Sequence, residues 1–167
     1  MSFREGVAQG LNPKIRSTAS EIMDQFRKES KAELLIYCTY RTPEEQAVLY
    51  RRGRSITQIF AKAAEVKEEF GRPDLAEILL RTQPQTGQIV TNAGPGQSAH
   101  NYGEAFDAVP LLGGKPVWSL ADPLYLLYGR LSIAAGLDWA GRWKSFREGP
   151  HSQTKGFNWR EAIRSDP

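Results

Sequence analysis

The chain contains two histidines, and each lies near a carboxylate in a segment that also contains glycine or proline. Asp107 follows His100 by seven positions, with Gly103 between them, and His151 follows Glu148 by three. Two imidazoles and one carboxylate form a ligand set for catalytic zinc, which usually has three protein ligands and one open position. These residue types and spacings predict a zinc site formed by His100, Asp107 and His151.

Glu148 would supply the base that such a site needs. A bound zinc ion lowers the pKa of water from about 15.7 towards ~7 and polarises the oxygen of the bond under attack. A positioned carboxylate is the usual group that takes the proton of that water and passes it to the leaving amine. Glu148 can reach the metal if its segment is a turn that enters a strand at His151. If the site binds zinc, these residues would make the protein a zinc-dependent hydrolase.

Other interpretations of the same residues remain open. Asp107 lies in the apolar stretch 105–109, which has strand character and where an unpaired charge would be costly. A metal would stabilise that charge, and so would an arginine partner. Cys38, the only cysteine, is interpreted as a buried strand residue and not as a nucleophile. Spacing alone does not decide between the metal and the ion pair.

Composition limits the class of protein. The chain has 167 residues, with 40% hydrophobic and 25% charged residues, which excludes a disordered or fibrous protein. A net charge of +3 is too small to indicate an anionic partner such as nucleic acid. Residues 1–6 lack the apolar core of a signal peptide, and no apolar run is long enough to span a bilayer. We expect synthesis in a cytoplasm without membrane insertion.

The order of apolar and turn-forming residues predicts an α+β fold, with a small antiparallel sheet flanked by helices. Apolar residues recur at helical spacing over 13–31, 42–53, 56–70, 74–80, 122–135 and 159–163. Strand character is found over 34–40, 105–109 and 137–140, and at His151. Residues 82–97 are interpreted as a loop with at most one short strand, at Ile89-Val90.

Two details of packing are also predicted. Gly103 and Ala105 have almost no side chain, which favours a close approach of their backbone to another segment. In the last long helix, the spacing assigns four residues to the face toward the core: Leu124, Leu127, Leu131 and Ala135.

The ordered pattern Ser98-x-His100-x-x-Gly103-x-Ala105-x-Asp107, followed by Glu148-x-x-His151, resembles the signature of the M15 zinc peptidases. That family comprises D-Ala-D-Ala dipeptidases and carboxypeptidases, and the L-alanyl-D-glutamate endopeptidases of phages and bacteria. The segment around Tyr40-Arg41-Thr42 is similar to the one that precedes the first ligand in the family. Residues 136–143 resemble the phage endolysin branch. The resemblance extends over roughly residues 34–153.

This resemblance implies that His100, Asp107 and His151 bind zinc and that Glu148 is the general base. It also implies that Arg41 stabilises the substrate carbonyl and the oxyanion. An ion pair is the structural alternative for Arg41.

The resemblance further assigns substrate contacts to Ser98, Trp139 and Trp143. Turn capping by Ser98 and core packing by the two tryptophans are equally consistent with the sequence.

For the whole chain, the resemblance implies a single zinc peptidase domain of residues 1–167, with the zinc site in a cleft and a helical insertion at about 55–85. The implied function is a zinc-dependent peptidoglycan peptidase, an L-alanyl-D-glutamate endopeptidase that acts as a phage endolysin on the wall stem peptide. A D-alanyl-D-alanine carboxypeptidase and a non-catalytic zinc-binding module of the same fold are the alternatives. We expect a monomer without nucleic acid, held in the host cytoplasm until the membrane is permeabilised.

Overall fold

The computed structural model describes residues 7–165, which form two compact units. Within this range the first unit comprises residues 7–40 and 103–157, and the second comprises 41–102 and 158–165. Residues 1–6, which bear on the signal-peptide prediction, lie outside the described residues. No helix between residues 7 and 165 combines the length and apolarity needed to cross a bilayer. The single domain with an insertion at about 55–85 stays a prediction.

The described residues form a mixture of helices and short strands. The helices are α1 (Pro13–Ser30), α2 (Pro43–Arg51), α3 (Ile56–Glu68), α4 (Pro73–Arg81), α5 (Pro123–Ala134) and α6 (Trp159–Ser165). The strands are β1 (Glu33–Cys38), β2 (Ala105–Leu112), β3 (Lys115–Pro116), β4 (Leu137–Trp139) and β5 (His151–Thr154). All strands belong to one sheet in the order β1-β2-β5-β4, with β3 paired to the end of β2. Every pairing is antiparallel, which confirms the predicted α+β class.

The first unit contains the sheet together with α1 and α5. Residues of both helices and of β1, β2 and β4 share one buried core, in which Phe26, Ile36 and Phe106 are fully enclosed. Burial of such apolar side chains contributes roughly 1.5–3 kcal/mol each. This core fixes β1 and β2, and β5 pairs with β2, so that two predicted zinc ligands, Asp107 and His151, face each other across the two strands.

The close approach predicted at Gly103 is confirmed. Its φ angle is +68°, and a Cβ atom there would lie 2.7 Å from the carbonyl oxygen of Gly10. The backbone N–H of Asn12 donates to the carbonyl oxygen of Gly103 at 3.1 Å. Any side chain at this position would therefore be strained and would push the start of α1 away from β2. Ala105, two residues further on, is fully buried.

The predicted core face of α5 is confirmed except at Ala135. Leu131 is buried, and Leu124 and Leu127 are half-buried and pack against the core, but Ala135 is exposed beyond the end of the helix. The other buried residues of α5 are Tyr125, Tyr128, Gly129 and Ser132. The indole ring of Trp139 packs against α5 at Gly129. A Cβ atom at Gly129 would lie 2.3 Å from that ring, so the ring fits only against glycine.

The two tyrosines of α5 differ in their hydrogen bonding. The Tyr128 hydroxyl donates to the carbonyl oxygen of Pro150 at 2.9 Å and lies 2.7 Å from Ser152 Oγ, which reaches Ser132 Oγ at 3.1 Å. The Tyr125 hydroxyl is buried and has no hydrogen-bond partner within the described part of the chain. Tyr128 therefore ties α5 to the two residues that flank His151.

We expect Tyr128→Phe to lower the free energy of unfolding by about 1–3 kcal/mol, because it leaves buried polar groups without their partner. Tyr125→Phe, which removes a hydroxyl without a partner, should leave that free energy unchanged or raise it slightly. Urea unfolding followed by circular dichroism measures both values. Equal destabilisation by the two substitutions would contradict this account.

The second unit is helical. Its core is formed by α2, α3, α4 and α6, and its largest fully buried aliphatic residues are Ile59, Val66, Leu79 and Ile163. Residues 55–85 supply α3 and α4 and hence most of this core. Residues 82–97, all of them described, contain no strand, and Ile89-Val90 is exposed.

Candidate active site

In the first unit, Asp107 of β2 lies between two neighbours in the sheet register. Cys38 of β1 is its partner on one side, and His151 of β5 is its partner on the other. Directly opposed residues of antiparallel strands extend their side chains from the same face of the sheet. The Nδ1 atom of His151 lies 3.3 Å from Oδ1 of Asp107. The Sγ atom of Cys38 lies within 4.8 Å of a carboxylate oxygen of Asp107. The sheet thus aligns a thiol, a carboxylate and an imidazole.

The Asp107–His151 pair fits a zinc ion. Ligand nitrogen and oxygen atoms at about 2.0–2.2 Å from a tetrahedral zinc are roughly 3.3–3.5 Å from each other. The observed 3.3 Å between Nδ1 and Oδ1 agrees with that value, and it is also a hydrogen-bonding distance. Both side chains are largely shielded from water, with exposures of 9% for His151 and 15% for Asp107. The ligand types, the separation of the two ligand atoms and the burial of both side chains therefore all suit the binding of zinc.

Gln153 holds the other side of the His151 ring. Its Oε1 atom lies 3.0 Å from Nε2 of His151, and it belongs to the same face because it lies two residues further along β5. A hydrogen bond from Nε2–H to Gln153 leaves Nδ1 available as a ligand atom and fixes the tautomer and orientation of the ring. Gln153 is absent from the residues predicted from the sequence. A polar residue two positions after a strand ligand is the signal that could have identified it.

We expect Gln153→Leu to weaken zinc binding by about 10- to 100-fold, because the ring of His151 loses the acceptor that orients it. Competition with a chromophoric chelator measures the affinity. Gln25→Leu, on the exposed surface of α1, is the matched control and should bind zinc as the unaltered protein does. Unchanged affinity of Gln153→Leu would show that this hydrogen bond does not support the ligand.

Glu148 lies in a loop whose two ends are tied together. Trp139 Nε1 donates to the carbonyl oxygen of Gly149 at 2.7 Å, and Arg147 Nε donates to that of Gly141 at 3.0 Å. The backbone N–H of Glu148 reaches the carbonyl oxygen of Ala140 at 3.4 Å. The Glu148 side chain is exposed, three residues before His151 begins β5. The segment is a turn that enters a strand, as the sequence predicts.

The carboxylates of Asp107 and Glu148 both act electrostatically on the phenol of Tyr37. Burial raises the pKa of its phenol well above the ordinary value, and the negative charges of Asp107 and Glu148 raise it further. Its ring packs edge-on against Trp118, with the ring centroids 6.0 Å apart. Tyr37 therefore keeps its proton at neutral pH and can donate a hydrogen bond. From the sequence it is recognised only as a strand residue.

The two tryptophans of the first unit have different surroundings. Trp139 is buried in the core against Gly129 and Gly141, which agrees with the core-packing interpretation. Trp143 is half-buried, and its ring centroid lies 5.4 Å from that of His151 at an interplanar angle of 57°. Trp143 therefore covers one side of a predicted ligand. Substrate contact by either tryptophan stays a prediction.

In the second unit, His100 lies on the 3-10 turn Ala99–Tyr102 with only 2% of its surface exposed. Its carbonyl oxygen accepts the backbone N–H of Arg41 at 3.0 Å, and Asn101 Nδ2 donates to the carbonyl oxygen of Arg41 at 2.8 Å. Ser98 Oγ accepts the backbone N–H of His100 at 3.4 Å, which is the turn-capping role. Hydrogen bonds to the backbone of His100 thus hold both Arg41 and Ser98 beside this turn.

The guanidinium of Arg41 is oriented by Gln46. Arg41 Nη1 donates to Gln46 Oε1 at 2.9 Å, and Gln46 Nε2 donates to the carbonyl oxygen of Ala93 at 2.7 Å. Gln46 is fully buried, so its amide has a fixed position. A pre-oriented guanidinium is suited to stabilising an oxyanion.

Helix α3 supports the loop that leads to His100. Gln97 Nε2 donates to Glu65 Oε1 at 2.8 Å, and Lys62 pairs with the same carboxylate at 2.7 Å. Burial opposes ionisation of Glu65, but the hydrogen bonds from Lys62 and Gln97 hold its pKa below the ordinary value. The carboxylate therefore stays charged at neutral pH and keeps Gln97 in place. The helical segment at 55–85 thus positions the loop before His100.

The structure divides the predicted site residues between the units. Asp107, Glu148, His151, Trp139 and Trp143 belong to the first unit, and Arg41, Ser98 and His100 belong to the second. Within each unit the residues are held by the hydrogen bonds and ring contacts described above. The predicted cleft stays a prediction.

Comparison with known proteins gives the class. Two family models described as D-alanyl-D-alanine carboxypeptidase match the chain, one over residues 8–115 and the other over residues 91–154. The first match covers more than half of the 167 residues. The chain therefore belongs to the D-alanyl-D-alanine carboxypeptidase family of M15 peptidases, which confirms the family predicted from the sequence.

Individual relatives are more distant. The peptidoglycan L-alanyl-D-glutamate endopeptidase CwlK of Bacillus subtilis (strain 168) is 31% identical over 83 residues, which are 45% of this chain and 50% of CwlK. The chain thus spans about half the length of this curated relative.

Two solved structures are similar at low identity. The Serratia marcescens L-Ala D-Glu endopeptidase ChiX has a TM-score of 0.46 and 17% identity, over 95% of this chain and 89% of ChiX. The vancomycin-resistance D,D-dipeptidase VanXYg, in complex with a D-Ala-D-Ala phosphinate analog, has a TM-score of 0.47 and 15% identity, over 92% and 54%.

Proposed function

We propose that this protein is a zinc-dependent peptidoglycan peptidase that cuts the stem peptide between L-Ala and D-Glu. The observation that carries the proposal is the Asp107–His151 pair, with the exposed Glu148 held three residues before His151. A structural zinc site is closed and needs no base, so Glu148 favours catalysis over a non-catalytic zinc module. The similarity to CwlK, named as an L-alanyl-D-glutamate endopeptidase, supports this choice of bond.

The proposed ligands are Asp107 and His151 of the first unit and His100 of the second. The first two are supported by the 3.3 Å separation of their donor atoms and by burial, and His100 is supported by the resemblance of the pattern around it to the family signature. When bound, zinc would polarise the scissile carbonyl and lower the pKa of water from about 15.7 towards ~7.

Side chains of the protein would carry out the proton transfer and stabilise the negative charge that develops. Glu148 would accept the proton of the attacking water and deliver it to the leaving amine. Arg41, oriented by Gln46, would donate to the carbonyl oxygen as negative charge develops there. Because Tyr37 stays protonated, it could add a neutral hydrogen bond beside the two carboxylates. Substrate contacts by Ser98, Trp139 and Trp143 complete the proposed site.

The proposed biological role is that of a phage endolysin, which rests on the likeness of residues 136–143 to that branch. The partner would be the peptidoglycan stem peptide alone, and the monomeric state without nucleic acid stays a prediction. Purified protein should lyse bacteria only after their membranes have been permeabilised. Lysis of intact cells would show that the enzyme reaches its substrate without permeabilisation.

Digestion of purified peptidoglycan, followed by mass spectrometry of the fragments, tests the reaction. An L-alanyl-D-glutamate endopeptidase leaves glycan chains that carry L-Ala alone and releases peptides that begin with D-Glu. Release of D-Ala with no cut after L-Ala would assign the second candidate, a D-alanyl-D-alanine carboxypeptidase, which the description of the family models favours. An undigested wall would support the non-catalytic module.

A further inference from the structure

A basic groove lies beside the candidate ligands of the first unit. It has a volume of ≈ 570 Å³, which is within the range of sites for small molecules and short peptides. Its charged lining consists of Arg142, Lys144 and Arg147, and its apolar lining includes Trp143, Leu120 and Leu126. Among the described residues that line it, none is acidic. Such a groove attracts an anionic ligand that also has apolar parts.

Two residues that line the groove, Trp143 and Arg147, connect it to the proposed catalytic residues. Trp143 faces the groove and also packs on the ring of His151 at 5.4 Å. Arg147 immediately precedes Glu148, and its Nε donates to the carbonyl oxygen of Gly141, which fixes the guanidinium within the loop. The groove therefore shares a loop with the proposed base, Glu148, and it is lined by a ring that packs on one proposed ligand of zinc, His151.

The three cations are available to a ligand. Arg142, Lys144 and Arg147 are exposed, and within the described residues none of them is in an ion pair with the protein. Three positive side chains within six positions repel one another, so a bound anion would relieve that repulsion. A planar guanidinium also matches the two oxygens of a carboxylate.

The proposed substrate carries a free carboxylate close to the bond that is cut. In the stem peptide, D-Glu continues the chain through its γ-carboxyl group, and its α-carboxylate stays free beside the scissile bond. We propose that the groove of Arg142, Lys144 and Arg147 binds this α-carboxylate on the leaving side of the bond. The enzyme would then prefer stem peptides with free D-Glu to those in which it is amidated to D-isoglutamine. This inference rests on the proposed function.

Two synthetic stem peptides test it: one contains D-Glu, and the other contains D-isoglutamine at the same position. With the full chain loaded with zinc, we expect kcat/KM for cleavage after L-Ala to be about 10- to 100-fold lower for the amidated peptide, since a charged hydrogen bond is lost. The double variant R142Q/K144Q should reduce this preference mainly by impairing cleavage of the D-Glu peptide. The control K14Q/K28Q removes two exposed lysines of α1 and should keep the full preference.

Each outcome decides a different point. If the unaltered protein does not cut the D-Glu peptide after L-Ala, both the proposed function and the groove are overturned. If it cuts both peptides equally well, or if R142Q/K144Q keeps the preference, only the groove is overturned. Equal cleavage of both peptides combined with slower lysis of whole walls by R142Q/K144Q would show that the groove binds an anionic wall polymer instead. All substituted residues are exposed, so thermal unfolding should be close to that of the unaltered protein.

Discussion

Glu148→Gln is expected to lower kcat for wall digestion by about 10²–10⁴-fold while zinc remains bound. The substitution keeps the size of the side chain and removes the carboxylate that would accept the proton. Glu148 is exposed at the end of a tied loop, so the fold should tolerate the change. Release of soluble fragments from purified peptidoglycan gives the rate, and metal analysis of the same sample gives the zinc content.

The matched control is Glu21→Gln, an exposed glutamate on α1, which should leave both rate and zinc content unchanged. The combination of full zinc content with lost activity separates a base from a ligand. Unchanged digestion by Glu148→Gln would exclude this residue as the base and require another proton acceptor. Loss of zinc together with activity would place Glu148 among the ligands instead.

The strands that position Asp107 and His151 could be predicted because their signals are local. An apolar run identifies β2, and the position of His151 after a proline indicates the start of β5. Sequence spacing gives no information on register, however, and register decides which side chains meet. The observed pairing of Asp107 with both Cys38 and His151 is the additional fact that the structure supplies.

The missed residues share a physical cause. Gln153 acts through the ring of His151, and Gln46 acts through the guanidinium of Arg41, so neither has a chemical signature of its own. In α5 the periodicity predicts the leucines that pack on the core, but it does not predict the two buried tyrosines. The structure buries two tyrosines there because one hydroxyl bonds to Pro150 and Ser152, while Gly129 makes room for Trp139. Such choices depend on tertiary partners, which helical spacing cannot reveal.

For the helical segment at 55–85, the sequence likewise predicts the helices but not their tertiary partners. Its helices were predictable from periodicity and from a serine and a glutamine at the start of α3, which form a capping box at Ser55 and Gln58. The support that this segment gives to the loop before His100 could not be predicted, because the hydrogen bond from Gln97 to Glu65 joins residues 32 positions apart. That bond makes the segment a support for the loop before His100.

His151→Ala and Asp107→Asn are expected to abolish stoichiometric zinc binding, since each removes one of the three proposed ligands. Metal analysis after dialysis measures the zinc content. A second measurement is independent of activity: zinc that binds only the folded protein should stabilise it by about 2.7 kcal/mol when its free concentration is 100 times Kd. The unaltered protein should therefore melt at a higher temperature with zinc than after treatment with a chelator, and the two variants should not show this difference.

The remaining variants test the composition of the ligand set. His100→Ala should also lose zinc, and this variant is informative because His100 belongs to the second unit. Cys38→Ser should keep zinc, although its sulfur lies within 4.8 Å of the Asp107 carboxylate and a thiolate is a good zinc ligand. Loss of zinc from Cys38→Ser together with its retention by His151→Ala would move the metal to the β1 side of Asp107. Asp24→Asn, an exposed aspartate on α1, should behave as the unaltered protein does in every measurement.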